Sequence, residues 1–100
     1  MIQIKPIEIE GHIVLGIEIK LPMTTLLVVT TEKGYVMCGA LDIQLLNQKL
    51  KDRQIIAGRA IEVRTLEQLL DAPLESVTFE AEHLGIHPGM KGRDAILKIV

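Results

Sequence analysis

The sequence predicts a single α+β domain, in the order β-β-β-β-α-β-α-α-α, with a mainly antiparallel sheet packed by helices on one core. Three observations predict it. Residues 2–40 consist of short apolar runs with period-two alternation and turn residues between them. Residues 42–100 switch to apolar spacings of three and four with capping residues ahead of them. No linker, internal repeat or low-complexity segment interrupts the 100 residues, so one domain spans 1–100.

Ile2 to Glu10 reads as a strand, and Pro6 favours an edge position because it cannot donate to a ladder. Ile13, Leu15, Ile17, Ile19 and Leu21 alternate with Val14, Gly16, Glu18 and Lys20, which turns the first set toward a core. Leu21-Pro22-Met23 breaks that strand. Thr24 to Thr31 is apolar on both faces at Leu26-Leu27-Val28-Val29, as a strand covered on both sides requires. Glu32-Lys33-Gly34 forms a hairpin loop with glycine at an expected positive φ, and Tyr35 to Ala40 returns as a strand.

Asp42 caps a helix whose Ile43, Leu46 and Leu50 share a stripe widened by Leu45, with Lys49, Lys51 and Arg53 near its end. Ile55 to Val63 reads as a strand. Thr65-Leu-Glu-Gln68 is a capping box opening a short helix. A further helix is expected from Asp71-Ala72-Pro73, with Leu74, Val77, Ala81 and Leu84 as its stripe, ended by Gly85 with Ile86 after it. After the Pro88-Gly89 loop a last helix runs from about Arg93.

Composition narrows the function classes. Formal net charge is −2, which suggests no polyanion-binding surface. Aromatics are 2% of the chain, Tyr35 and Phe79, which argues against a base-stacking platform, and nucleic acid is not an expected partner. The lone Cys38 allows no intrachain disulfide and no cysteine-based zinc site, and it fits a reducing cytoplasm. Charges alternate through Met1 to Glu10, leaving no signal-peptide core, and Glu18 and Lys20 interrupt the apolar stretch from Ile13 to Val29, so no membrane span is expected.

Several segments in order carry a resemblance: Gly34-Tyr-Val-Met-Cys-Gly-Ala-Leu-Asp42, Ala57-Gly-Arg-Ala60, Val63-Arg-Thr-Leu-Glu-Gln-Leu-Leu-Asp-Ala-Pro-Leu-Glu-Ser76 and Gly89-Met-Lys-Gly-Arg93. Over about two-thirds of the chain they resemble the YunC family, small bacterial and archaeal proteins of unknown function. The resemblance implies a compact α/β-type fold. It transfers no activity and no catalytic residue.

Among individual residues, Arg59 stands out. It shares a strand face with Ile55, Ala57, Ile61 and Val63, where a guanidinium needs a carboxylate, a ligand anion or a subunit interface. Its small neighbours Ala57, Gly58 and Ala60 leave room for an approaching molecule, which makes Arg59 and Gly58 candidate ligand-binding residues. An internal ion pair with Asp42 or Glu75, or a snorkelling arginine, is the plainer alternative. Cys38, just ahead of a helix start, is a candidate nucleophile, set against a buried thiol aligned with Val36 and Ala40. Asp42 is a candidate general base, set against its role as cap.

His83 and His87 have metal-ligand spacing, but Gly85 and Pro88 break the helix between and beside them, so no metal is expected. Gly89-Met-Lys-Gly92-Arg93 is a glycine-rich basic loop that could hold a phosphate, which adds Arg93 to the ligand candidates, against a simple helix-to-helix turn. No cofactor is implied. The reading favoured is a homo-oligomeric small-ligand-binding or regulatory domain taking a small anion. Its alternatives are a small enzyme with an inter-subunit site around Cys38, Asp42 and Arg59, and a protein-interaction module.

Overall fold

The computed structural model describes residues 1–40, 42–48 and 51–100, so the expected helical positions Lys49 and Leu50 lie outside the described residues. Six strands form one sheet in sequential order: β1 (Ile2–Ile9), β2 (His12–Leu21), β3 (Thr24–Thr30), β4 (Gly34–Met37), β5 (Ile56–Arg59) and β6 (Ser76–Val77). All neighbours are antiparallel except β4 and β5. That parallel pair needs a crossover, and α1 (Ile43–Gln48) supplies it. The remaining α-helices among the described residues are α2 (Leu66–Asp71), α3 (Phe79–His83) and α4 (Gly92–Leu97), and a short 3-10 helix covers Lys51–Arg53.

Local chemistry sets the corners. Glu10 and Gly11 both take positive φ, 47° and 86°, as a tight two-residue hairpin demands. Pro22 and Met23 make the next corner, with Met23 at φ 67°. Between β3 and β4 the turn is made by Thr31, whose Oγ1 accepts from the amides of Lys33 (3.0 Å) and Gly34 (3.1 Å). Gly34 therefore needs no positive φ, contrary to expectation. Its requirement is spatial: an added Cβ would stand 2.5 Å from the carbonyl oxygen of Ile56 in the neighbouring strand.

The sequence misjudged which face of β2 is covered. Val14 and Gly16 are buried against the helices, while Ile13 and Leu15 are exposed. Leu27 and Val29 of β3 are fully buried, and Leu26 and Val28 on its other face are only half covered. The main core thus lies on one side of the sheet, where Leu66, Leu69 and Leu70 of α2 and Ala95 and Ile96 of α4 meet Val14, Leu27, Val29 and Val36. On the other side α1 packs Ile43 and Leu46 on Ala57, with Tyr35 and Ile55 beside them. Leu45, expected in that stripe, is exposed.

Two further segments depart from expectation. The strands at β4 and β5 are shorter than predicted, because Cys38 to Ala40 leads out of the sheet and Glu62 turns the chain with φ 59°. No helix starts at Pro73. Residues 72–78 run extended: Glu75 donates its amide to the Arg59 carbonyl, and Thr78 donates to that of Ala57, so the segment becomes β6 and closes the edge of β5. Thr78 then caps α3, its Oγ1 accepting from the Ala81 amide. The expected end holds, with Gly85 at φ 86° and the buried Ile86 donating its amide to the Ala81 carbonyl.

Candidate functional site

The ladder registers place one row of side chains across all six strands on the side away from the main core. Ile4 pairs with Ile17, Ile17 with Val28, Val28 with Met37, Met37 with Arg59, and Arg59 with Ser76. Partners directly opposite in a ladder point to the same face. The row is therefore aliphatic through β1–β4 and turns polar at β5–β6.

A cleft of about 680 Å³ opens at that polar end, between α1 and the β5–β6 edge. Arg59 forms part of its wall. Its Nη1 donates to Oε1 of Glu75 at 2.7 Å, while Nε and Nη2 donate to the Gly39 carbonyl at 3.3 and 3.1 Å. A guanidinium has five N–H groups, and these bonds engage three of them. The Ser76 hydroxyl donates to the same Glu75 oxygen at 2.7 Å. The hydrogen bond from Ser76, with that from Arg59, holds the Glu75 carboxyl below its ordinary 4.5. Among the alternatives raised by the sequence, Arg59 has taken the ion pair with Glu75, at a site where both groups keep contact with water.

Asp42 lies in the same cleft and also caps α1, its Oδ1 accepting from the Leu45 amide at 3.0 Å. Asn47 of α1 reaches across to accept from the Phe79 amide at 2.9 Å, which ties the start of α3 to α1. Phe79 itself is 57% exposed at the cleft rim. Sequence reasoning missed Asn47 and Phe79. Thr78 followed by Glu80 and Glu82 is the capping and acidic first-turn signal that locates the true start of α3, and it would have freed Phe79 from an assumed helix interior.

The other candidates lie elsewhere. Cys38 is 6% exposed in the main core, where its Sγ accepts from the Leu27 amide at 3.5 Å. Alternation along β4 puts that thiol on the helix-covered side, away from Arg59, so Cys38 does not join Asp42 and Arg59 in one site. Gly58 likewise faces the core, with a Cβ there reaching Leu74 at 2.8 Å. Arg93 pairs with Asp71, Nη2 to Oδ1 at 2.6 Å, and does not line the cleft. In the 89–93 loop the amides of Gly89 and Gly92 are spent on the carbonyls of Leu74 and Ala72. That glycine-rich segment serves backbone packing. No helix among the described residues is long and apolar enough to cross a membrane.

Residues 37–99 match the family described as Domain of unknown function (DUF1805). The whole chain is also 57% identical over 100 residues to the uncharacterized protein YunC of Bacillus subtilis (strain 168), covering 99% of that protein. The chain belongs to the DUF1805 family. A solved structure, that of a protein of unknown function, TA1206, from Thermoplasma acidophilum, is 36% identical with a TM-score of 0.89, covering 100% of this chain and 94% of the other. The YunC-family resemblance read from the sequence is thereby shown. The solved structure shares the α+β architecture, and all three findings carry an unassigned activity.

Proposed function

We propose that this DUF1805 chain works as a homo-oligomer that binds a small polar ligand in the Arg59 cleft. One observation carries the reading: the Ile4–Ile17–Val28–Met37–Arg59–Ser76 row, which joins an aliphatic sheet face to a polar cleft.

The aliphatic part is inverted relative to the chain's own core. At the far ends of β1 and β2 the polar Gln3, Lys5, Glu18 and Lys20 lie on the helix side, and Ile2, Ile4, Ile17 and Ile19 lie on the other. Ile4 is 62% and Ile13 65% exposed. Strands of eight, ten and seven residues make this face roughly 25 by 15 Å at ~3.3 Å per residue and ~4.8 Å between strands. Counting side-chain relief, each copy offers roughly 500 Å² of apolar contact, so a pair reaches the ~1,000 Å² a specific interface needs. A second copy is the occupant we assign, because the face is self-complementary in chemistry: aliphatic at its centre across Ile4, Ile17, Ile19, Leu26 and Val28, with Glu8, Thr24 and Thr30 toward its ends and Leu21 and Met23 at its rim.

The cleft supplies the ligand half of the reading. Arg59 is pre-oriented by Gly39 and Glu75 and keeps N–H groups unspent. A reducing cytoplasm suits the buried free thiol.

Native mass spectrometry of the wild type and Ile13→Lys tests the proposal. The wild type is expected as an oligomer, with retained excess mass that Arg59→Ala removes. Ile13→Lys is expected to shift it to monomer without unfolding, since that side chain is mostly in water within one copy. A bare monomeric wild type would overturn the reading.

A further inference from the structure

We propose that the ligand of the Arg59 cleft is a small neutral polyhydroxylated molecule, a sugar or sugar-like polyol; this rests on the cleft being a ligand site. Charge argues first. The side chains lining the cleft carry two carboxylates, Asp42 and Glu75, against the single guanidinium of Arg59. An anion entering there meets a net negative wall, and to take the Arg59 N–H and Ser76 hydroxyl that face Glu75 it would have to replace that carboxylate in two hydrogen bonds of 2.7 Å. A neutral molecule leaves the Arg59–Glu75–Ser76 network intact and uses what that network has left: the N–H groups of Arg59 not yet engaged and the second carboxylate oxygen of Glu75.

Geometry and chemistry argue next. Asp42, Gln44, Asn47 and Glu75 are planar groups with two hydrogen-bonding atoms side by side, the arrangement that engages neighbouring hydroxyls on a ring. Phe79 is one of two aromatic residues in the chain, yet it is 57% exposed at this rim. Leaving a phenyl ring in water is costly unless something covers it. A ring face beside hydrogen-bonding groups matches a sugar, whose C–H face is apolar and whose edge is hydroxylated. The position of Phe79 is fixed by the hydrogen bond its backbone amide donates to Asn47 Oδ1 and by the Thr78 cap behind it. A volume near 680 Å³ falls within the ~300–1,000 Å³ of small-molecule sites.

Amide NMR titration of the intact protein decides between ligand classes, using glucose, ribose and inositol as neutral probes and inorganic phosphate and acetate as anions. At least one neutral probe is expected to shift the amides of Asn47, Ser76 and Phe79 saturably. Its affinity should fall roughly tenfold in Phe79→Ala and in Phe79→Leu, because the leucine restores apolar bulk without the ring. If only phosphate or acetate shifts those amides, the ligand class is wrong and the cleft remains a binding site. If no probe shifts them, both this inference and the ligand half of the preceding reading fail. Equal affinity in Phe79→Leu and the wild type would also overturn the role given to the ring.

Discussion

Arg59 and Ser76 stand opposite one another in the β5–β6 ladder, and both donate to Oε1 of Glu75, each at 2.7 Å. The carboxylate therefore clamps the last two strands of the sheet from the cleft side. Since β6 is only two residues long, this clamp adds to the few backbone bonds that hold it.

The clamp is expected to depend on pH. Hydrogen bonds from Ser76 and Arg59 lower the Glu75 pKa below 4.5. A carboxylate with a depressed folded-state pKa contributes stability above its unfolded value, and that contribution is lost as pH falls through the folded value. Urea midpoints of the wild type and Glu75→Gln, followed from neutral pH to about 3, should converge in acid. A constant gap between them would show that the carboxylate charge plays no part.

Thr78 is a buried hydroxyl, 2% exposed, whose Oγ1 accepts from the amides of both Ala57 (3.1 Å) and Ala81 (3.3 Å). It joins β5 to the start of α3. Thr78→Ala leaves a buried amide unpaired and removes the cap, for an expected loss of about 2–3 kcal/mol by chemical denaturation. Thr78→Ser should recover most of it. Equal losses in both variants would point to the methyl group instead.

Gly89, in the loop ahead of α4, and Gly92, its first residue, should respond differently to alanine. At Gly92 an added Cβ would collide with the backbone carbonyl of Leu69, where α4 meets α2. Gly92→Ala is expected to cost about 3 kcal/mol through overpacking. At Gly89 the space is open but φ is 93°, so Gly89→Ala should cost about 1 kcal/mol of backbone strain. Thermal unfolding of the two variants checks the order, which reverses if Gly92 can shift without strain.

The Cys38 thiol should be inert toward iodoacetamide in the folded protein, because it is buried in the main core beneath α2 and α4. Labelling followed by mass is expected to track unfolding as urea is raised. Fast labelling of native protein would place the thiol in reach of substrate and reopen a nucleophilic role.

The sequence carried the local structure well where short-range chemistry decides it. Asp42 and Thr65 cap the helices they precede, with Leu45 and Gln68 amides as their donors. Pro6 sits on the edge strand β1, and Gly85 ends α3 at positive φ. The 73–78 segment was misread because Leu74, Val77 and Ala81 have helical spacing, yet the free edge of β5 offers its backbone groups to any extended neighbour. Helical periodicity says nothing about a strand edge waiting elsewhere in the fold.

Within the site, Arg59 and its pairing with Glu75 were legible, since a cation on an apolar strand face has few acceptable partners. Asn47 and Phe79 were not, because the hydrogen bond that joins α1 to α3 links residues 32 apart in sequence. The separation of Cys38 from Arg59 was also beyond the sequence. They lie on adjacent strand ends, but alternation sends their side chains to opposite sides of the sheet, and only the register between β4 and β5 fixes which is which.

By itself the sequence determined the α+β class, the strand order through β4, the caps and the aliphatic alternation of β2. Each follows from residues within a turn or a strand of one another. The tertiary structure decided which face of that alternation the helices cover. Over residues 13–17 of that strand, isoleucine and leucine on one face and valine and glycine on the other are both acceptable to a core. The helices chose the valine and glycine side, because Gly16 leaves room for Ile7 and Leu66 where a larger side chain would not.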